Sequence, residues 1–167
     1  QAASISIDNE GEVGQAEGAL LTFKGVPLLP IPAFTFPLSN RRKSGFLPPS
    51  LGVDNVNGAE VSVPYYWNIA PNRDATLFPA LMTKRGVDLA GEFRYLESGY
   101  AGQLRANFMP GDKLRSMDRW GVAFTHAGTL DSGLSGVGSL GINLSVNRVS
   151  DDNYWRDFTR VNPWMTQ

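Results

Sequence analysis

AEVSVPYYWNI, residues 59–69, alternates in character: Ala59, Val61, Val63, Tyr65, Trp67 and Ile69 fall on one side, Glu60, Ser62, Pro64, Tyr66 and Asn68 on the other. Side chains of an extended chain point alternately to opposite faces, so this stretch predicts a strand with one apolar and one polar face. The pattern returns downstream. GVDLAGEFRYL (86–96) sets Val87, Leu89, Phe93 and Tyr95 against Asp88, Ala90, Glu92 and Arg94, and GQLRANF (102–108) sets Leu104, Ala106 and Phe108 against Gln103, Arg105 and Asn107. RWGVAFTH (119–126) and SLGINLSVNRV (139–149) add two more, the last with Leu140, Ile142, Leu144 and Val146 opposite Asn143, Ser145 and Asn147. DATLFPALM (74–82) is apolar on both faces, which leaves the register of residues 74–84 open. The separators APNRD, KRG, ESGYAG, PGDKLRSMD and LDSGLSGVGS are rich in turn-forming residues. The fold class expected is all-β: about six antiparallel strands in an up-and-down meander, without a helix.

The chain before residue 59 is organised differently. Residues 1–40 hold the short β-type runs ASISI and GALLTF, then VPLLPIPAFTFPL, whose prolines 27, 30, 32 and 37 restrict it to an edge or polyproline conformation. Residues 41–58 begin RRKSGFLPPS: the cations Arg41, Arg42 and Lys43, a Ser44-Gly45 joint, Phe46 and a rigid Pro48-Pro49 pair. The division expected is a small β domain (1–40), a stiff hinge (41–58) and the alternating strands (59–167).

Composition excludes several classes. Fifteen Lys and Arg against sixteen Asp and Glu give a net charge of -1, so there is no chain-wide attraction to nucleic acid. Without cysteine and with a single histidine, His126, the chain has no disulfide or thiol chemistry and no basis for a zinc site. No cofactor is expected. The most apolar stretch, GVPLLPIPAF, is cut by three prolines and falls far short of the roughly 20 residues of a spanning helix. No cleavable targeting segment is read at the start of the chain.

Alternation alone does not decide whether the apolar face meets a protein core or lipid, and a water-soluble sandwich is the commoner source of such a pattern. Two details favour lipid: runs of about ten residues suit a tilted membrane strand better than a soluble one, and aromatics gather towards strand ends (Tyr65, Tyr66, Trp67; Phe93, Tyr95; Trp120), as in interfacial girdles. About six strands cannot close such a barrel, which needs about eight or more, so a membrane reading requires further strands after Gln167.

Chemical motifs lead nowhere. GVGSLG (136–141) has dinucleotide-loop spacing but precedes a strand where a helix is needed. NLS (143–145), a glycosylation string, lies inside a strand. Asp151 and Asp152 lack a partner base or a calcium-loop spacing and read as a turn cap, and His126 reads as a loop or interface residue. No enzyme activity is expected.

Four motifs in this order, RRKSGFLPPS, VPYYWNIAPNRDATLFP, EFRYL and VSDDNYWRDF, resemble the lipopolysaccharide-assembly outer-membrane proteins of Gram-negative bacteria, the organic-solvent-tolerance family; the likeness runs from about Val26 to about Phe158. The resemblance implies the end of a periplasmic β-jellyroll followed by the first strands of a large transmembrane β-barrel in the outer membrane. It also implies lipopolysaccharide as cargo, a lipoprotein plug inside the barrel and a periplasmic bridge protein as partners, and exit through a lateral gate between first and last barrel strands. Pro64 and Pro79 match the gate prolines. Arg41, Arg42 and Lys43, with Ser44, Gly45 and Phe46, would form a hinge whose cations contact lipopolysaccharide phosphates, since guanidinium groups bind phosphate bidentately. Glu92, Arg94, Gln103, Arg105, Asn107, Asn143, Ser145 and Asn147 would face the lumen. A soluble carbohydrate-binding β-sandwich and a porin-like diffusion channel are the alternatives.

Overall fold

Period-two alternation becomes a single broad sheet. The structure, a computed structural model, describes residues 4–8, 13–23, 26–37, 42–130, 133 and 138–158. Three strands, β1 (Ser4–Asp8), β2 (Val13–Phe23) and β3 (Val26–Pro37), form an antiparallel sheet in the order β1-β2-β3. The proline-rich β3 lies at its edge, where a missing N–H is tolerated.

The second sheet has nine strands, all antiparallel. Five long ones form the meander: β8 (Arg73–Met82), β9 (Gly86–Leu96), β10 (Tyr100–Asp112), β11 (Met117–Leu130) and β12 (Leu140–Val149). Beside β8 the sixth expected strand is present in two pieces, β6 (Gly58–Ser62) and β7 (Tyr65–Ala70). Outside that pair lies a strand absent from the sequence reading. Residues of the segment expected as a hinge, β4 (Gly45–Phe46) and β5 (Ser50–Asp54), pair with β7 and β6 and make the sheet's edge. Pro48 and Pro49 interrupt this strand without preventing it, because an edge strand needs donors on one side only.

Turn chemistry sets the hairpins. Asp54 Oδ1 accepts from the N–H groups of Val56 and Asn57, both at 2.6 Å, and Gly58 follows at φ 77°. Within β10, a bulge between Met109 and Asp112 holds Gly111 at φ 55°, a conformation glycine adopts without strain.

The open register of residues 74–84 resolves cleanly. Asp74, Thr76, Ala80 and Met82 point to the polar face, and Leu77 and Leu81 to the apolar one. Cross-strand neighbours then make uniform rows. Trp67, Ala75, Phe93, Leu104, Phe124 and Val146 lie side by side on the apolar face, and Asp74, Arg94, Gln103, Thr125 and Ser145 on the other.

Burial is distributed in reverse of a soluble sandwich. Large side chains of the apolar face stay exposed, among them Trp67, Leu77, Leu89, Phe108, Trp120 and Ile142. The hydrophobic residues buried among the described ones, Ala80, Met82, Ala90, Met109, Tyr154 and Phe158, gather on the polar side. They are covered by one helical turn, α1 (Tyr154–Phe158), against the expectation of no helix.

Candidate functional site

The break in the first strand is a matter of missing donors. Glu60, Val61 and Ser62 stand opposite Met82, Leu81 and Ala80, and Tyr65, Tyr66 and Trp67 opposite Leu77, Thr76 and Ala75. The register is the same on both sides of the gap, so Val63 stands opposite Pro79 and Pro64 opposite Phe78. Val63 donates its N–H to the Pro79 carbonyl at 3.3 Å; proline has no N–H to return, and the Ser62 hydroxyl adds a bond to the same carbonyl at 2.9 Å. Pro64 acts on the opposite edge. Its carbonyl accepts the Leu47 N–H at 2.8 Å, and since N–H and C=O of a strand residue point to the same side, the donor it lacks faces the hinge strand. The two prolines thus weaken the two edges of one strand at neighbouring rungs.

The hinge is fastened at four points. Phe46 meets Tyr65 edge to face with centroids 5.1 Å apart. The Ser44 hydroxyl oxygen accepts the Asn68 N–H at 2.8 Å, and the Asn68 side-chain amide donates to the Arg42 carbonyl at 2.8 Å. The Arg42 guanidinium lies 3.5 Å from Asp74 while more than half exposed. Arg41 lies outside the described residues.

On the polar face four of the eight expected lumen residues, Glu92, Arg94, Gln103 and Arg105, form one connected system. Arg94 grips Asp74 with two bonds at 2.8 and 2.9 Å, and the Tyr66 hydroxyl donates to the same carboxylate at 3.2 Å. Gln103 and Arg105 both donate to Glu92, at 2.5 and 3.0 Å. A groove of about 600 Å³ opens among Arg94, Gln103, Thr125, Asn143 and Ser145. Asn147 stands in the neighbouring row, opposite Ala123. Asn107 departs from expectation: it shares this face but lies buried beneath α1, bonded to Asp88 and accepting the Tyr154 hydroxyl at 2.7 Å.

That burial belongs to a second assembly, which the sequence reading missed. After β12 the chain turns inward and lays α1 on the polar face. Asp151 caps the turn through the Asn153 N–H at 3.0 Å, as expected of it, but also takes two bonds at 2.9 Å from Arg119. Arg119 reaches Asp157 at 2.7 Å and Asp112 at 3.4 Å; Arg85 holds Asp112 at 2.5 and 3.1 Å; Arg115 holds Asp157 at 2.9 and 3.1 Å. The Arg85, Arg119 and Asp112 side chains are fully buried. The stacked rings of Tyr154 and Phe158, 4.5 Å apart, lie within this network, with the Arg85 and Arg119 guanidinium groups 4.4 and 4.9 Å from the Phe158 ring. We call this arrangement the latch. Asp88, Asn107 and Arg119 read in sequence as a polar strand face; nothing in their spacing marks them as the seat of a segment some 40 residues on.

The latch is charged by design. Burial alone raises the Asp151 carboxyl, but bonds from the Ser150 hydroxyl and Arg119 outweigh it and hold the group below the usual carboxylate range. Asp157 behaves alike, burial being outweighed by Arg115 and Arg119. A lowered folded-state value adds stability above the unfolded value, about 3.9 for Asp, which is lost as pH falls through the folded one. The latch is therefore expected to stay closed from neutral pH to about pH 4 and to open in stronger acid. Emission of Trp155, with the other tryptophans replaced by Phe, checks this: a transition near neutrality would show that these carboxylates do not hold it.

His126, read as a loop or interface residue, occupies a strand position on the apolar face, where its Nδ1 lies 2.6 Å from the Tyr95 hydroxyl. Among the described residues no cluster suited to a metal ion occurs. No described helix is long and apolar enough to cross a membrane, which leaves strand-crossing open.

Comparison with known proteins identifies the family. The family described as LptD protein matches residues 16–158. The LPS-assembly protein LptD of Albidiferax ferrireducens is 65% identical over 164 residues, covering 96% of this chain and 20% of that protein. Those of Polaromonas sp. and Paracidovorax citrulli are 61% and 57% identical, each over 100% of this chain and 20% of their own length. The chain thus spans about a fifth of the relatives it matches, and over that span it belongs to the LptD protein family.

Proposed function

We propose that this chain is part of a lipopolysaccharide translocon of the bacterial outer membrane, guiding its cargo passively to a lateral seam without catalytic chemistry. The observation that carries this reading is the inverted burial: large apolar side chains stay exposed across the sheet, while the opposite face holds bonded polar groups and the buried residues. An exposed apolar face of this extent fits hydrocarbon, and a polar face opposite it fits a watery conduit. The relatives' name, LPS-assembly protein, supplies the cargo. Residues 1–40 are assigned to the periplasmic jellyroll, which meets the bridge protein. The sheet of β6–β12 is assigned to the start of the barrel that encloses a lipoprotein plug. Arg41, Arg42 and Lys43 are assigned to contact phosphate-bearing cargo as it passes from one to the other; Arg42 keeps its exposed side available while bound to Asp74.

Pro64 and Pro79 each remove a donor at one edge of the first strand, where a wall can part cheaply. Restoring a donor at each position adds about 0.5–1.5 kcal/mol per bond. Only the bond restored at residue 64 lies on the outer edge; if parting that seam limits delivery, about 0.5–1.5 kcal/mol slows it roughly two- to thirteenfold. Pro64→Ala with Pro79→Ala in the full-length protein is expected to reduce surface lipopolysaccharide accordingly, measured by protease-free surface labelling of newly made molecules. Normal delivery in the double variant would remove the prolines from the mechanism.

A further inference from the structure

The outer edge of the β6–β7 strand is already occupied. In a closed barrel that edge must meet the closing strand, which belongs to the four fifths of the relatives' length beyond this segment. Here it pairs with residues 45–54 of the same chain: five residues of β5 along β6, two of β4 along β7, and the Leu47–Pro64 bond between them. One edge cannot accept two strands.

The hinge strand is built to leave. Its path is broken by Pro48 and Pro49, so pairing is confined to two short stretches. At the rung between them Pro64 can accept but not donate, so only one of the two possible bonds forms. The clamp at Asn68 is incomplete, since the buried Asn68 Oδ1 finds no donor among the described residues. Val53 remains largely exposed in the seated position. By contrast, each junction from β8 to β12 is paired over eight or more rungs.

We propose that residues 45–54 are a removable edge strand of β6–β7, occupying the edge on which the closing barrel strand pairs, so that hinge and closing strand exclude one another. The inference rests on the translocon reading and adds to it a competitor for the seam. A seated hinge leaves the seam unzipped, and a departed hinge frees the first strand to be closed. The segment that links the periplasmic part to the barrel thereby reports on, and sets, the state of the wall.

The test is a reversible lock in the full-length protein. Leu51 and Val61 are direct partners, and because Leu47 donates to Pro64, alternation makes theirs a non-hydrogen-bonded pair, the closer kind. Leu51→Cys with Val61→Cys is expected to form a disulfide in cells, read by electrophoretic mobility. Its oxidised form is expected to deliver lipopolysaccharide to the surface at least tenfold more slowly than either single-cysteine variant, which controls for folding. A disulfide that forms without slowing delivery would make the hinge strand a permanent part of the wall and overturn the proposal, as would failure of the disulfide to form. The unmutated protein in a strain depleted of its own copy separates the two levels. If it does not restore surface lipopolysaccharide, the translocon reading fails; if it does and the lock has no effect, only this inference fails.

Discussion

Arg119→Met is expected to open the latch, lowering the stability of the segment from Asp151 to Phe158 by about 3–5 kcal/mol, the usual cost of breaking a buried ion pair from one side. The reason lies in what is left behind. The Arg119 side chain is fully buried and is the only described group that touches Asp112, Asp151 and Asp157 together, at 3.4, 2.9 and 2.7 Å. Its removal leaves Asp151 without a guanidinium partner among the described residues, and asks Arg85 and Arg115 to neutralise Asp112 and Asp157. Methionine fills the volume near Phe158 but supplies no donor. Hydrogen exchange at the amides of 151–158 measures the effect directly: at 1.4 kcal/mol per tenfold, protection should fall by roughly two to three and a half orders of magnitude. Arg119→Lys keeps the charge but loses the fork, and is expected to fall between. A loss of less than tenfold in the methionine variant would mean that ring stacking, not charge, holds the segment.

How much of this was legible beforehand follows from which forces act locally. The strands from 86 to 149 could be read because alternation is a property of neighbouring residues, and each one was found within a few residues of its expected place. The register of β8 could not, since Phe78 and Pro79 break its alternation; it is fixed by partners, with Asp74 held to Arg94 across to β9. The latch was invisible for a different reason. A helix of five residues is too short to nucleate alone, so α1 exists only because guanidinium groups from Arg85, Arg115 and Arg119 meet it from 38 to 72 positions away.

The hinge strand escaped reading because prolines argue against a strand wherever both edges must be paired. The argument fails at a sheet edge, where Pro49 can precede β5 at no cost in bonds. Pro64 was legible as a weak point but not as to which edge it weakens. Only the Leu47 bond shows that its missing donor faces outward. The prolines and residues 45–54 thus sit at one side of the sheet, and the latch draws on residues of β8, β10 and β11.

Gly121→Val should be nearly as damaging as removal of Arg119, and it isolates the packing half of the latch from the ionic half. Gly121 lies on the polar face of β11 directly beneath Tyr154: a Cβ there would sit 2.6 Å from both Cζ and the hydroxyl oxygen of the tyrosine. No side chain tolerates such an approach, and the ring has nowhere to go, because Tyr154 is fully buried and stacked on Phe158. Overpacking of a tight site costs about 1–3 kcal/mol; if the ring is expelled instead, the loss approaches the about 3–5 kcal/mol of emptying an aromatic site. Expulsion also strips Asn107 of the Tyr154 hydroxyl. The clean measurement is a double-mutant cycle. With Tyr154→Ala in place the space above residue 121 is empty, so Gly121→Val should then cost under about 1 kcal/mol, and the coupling between the two sites should reach about 2 kcal/mol. If valine is equally harmful with and without the tyrosine ring, its effect comes from the strand and not from the latch, and the seat assigned to Tyr154 on β11 is wrong.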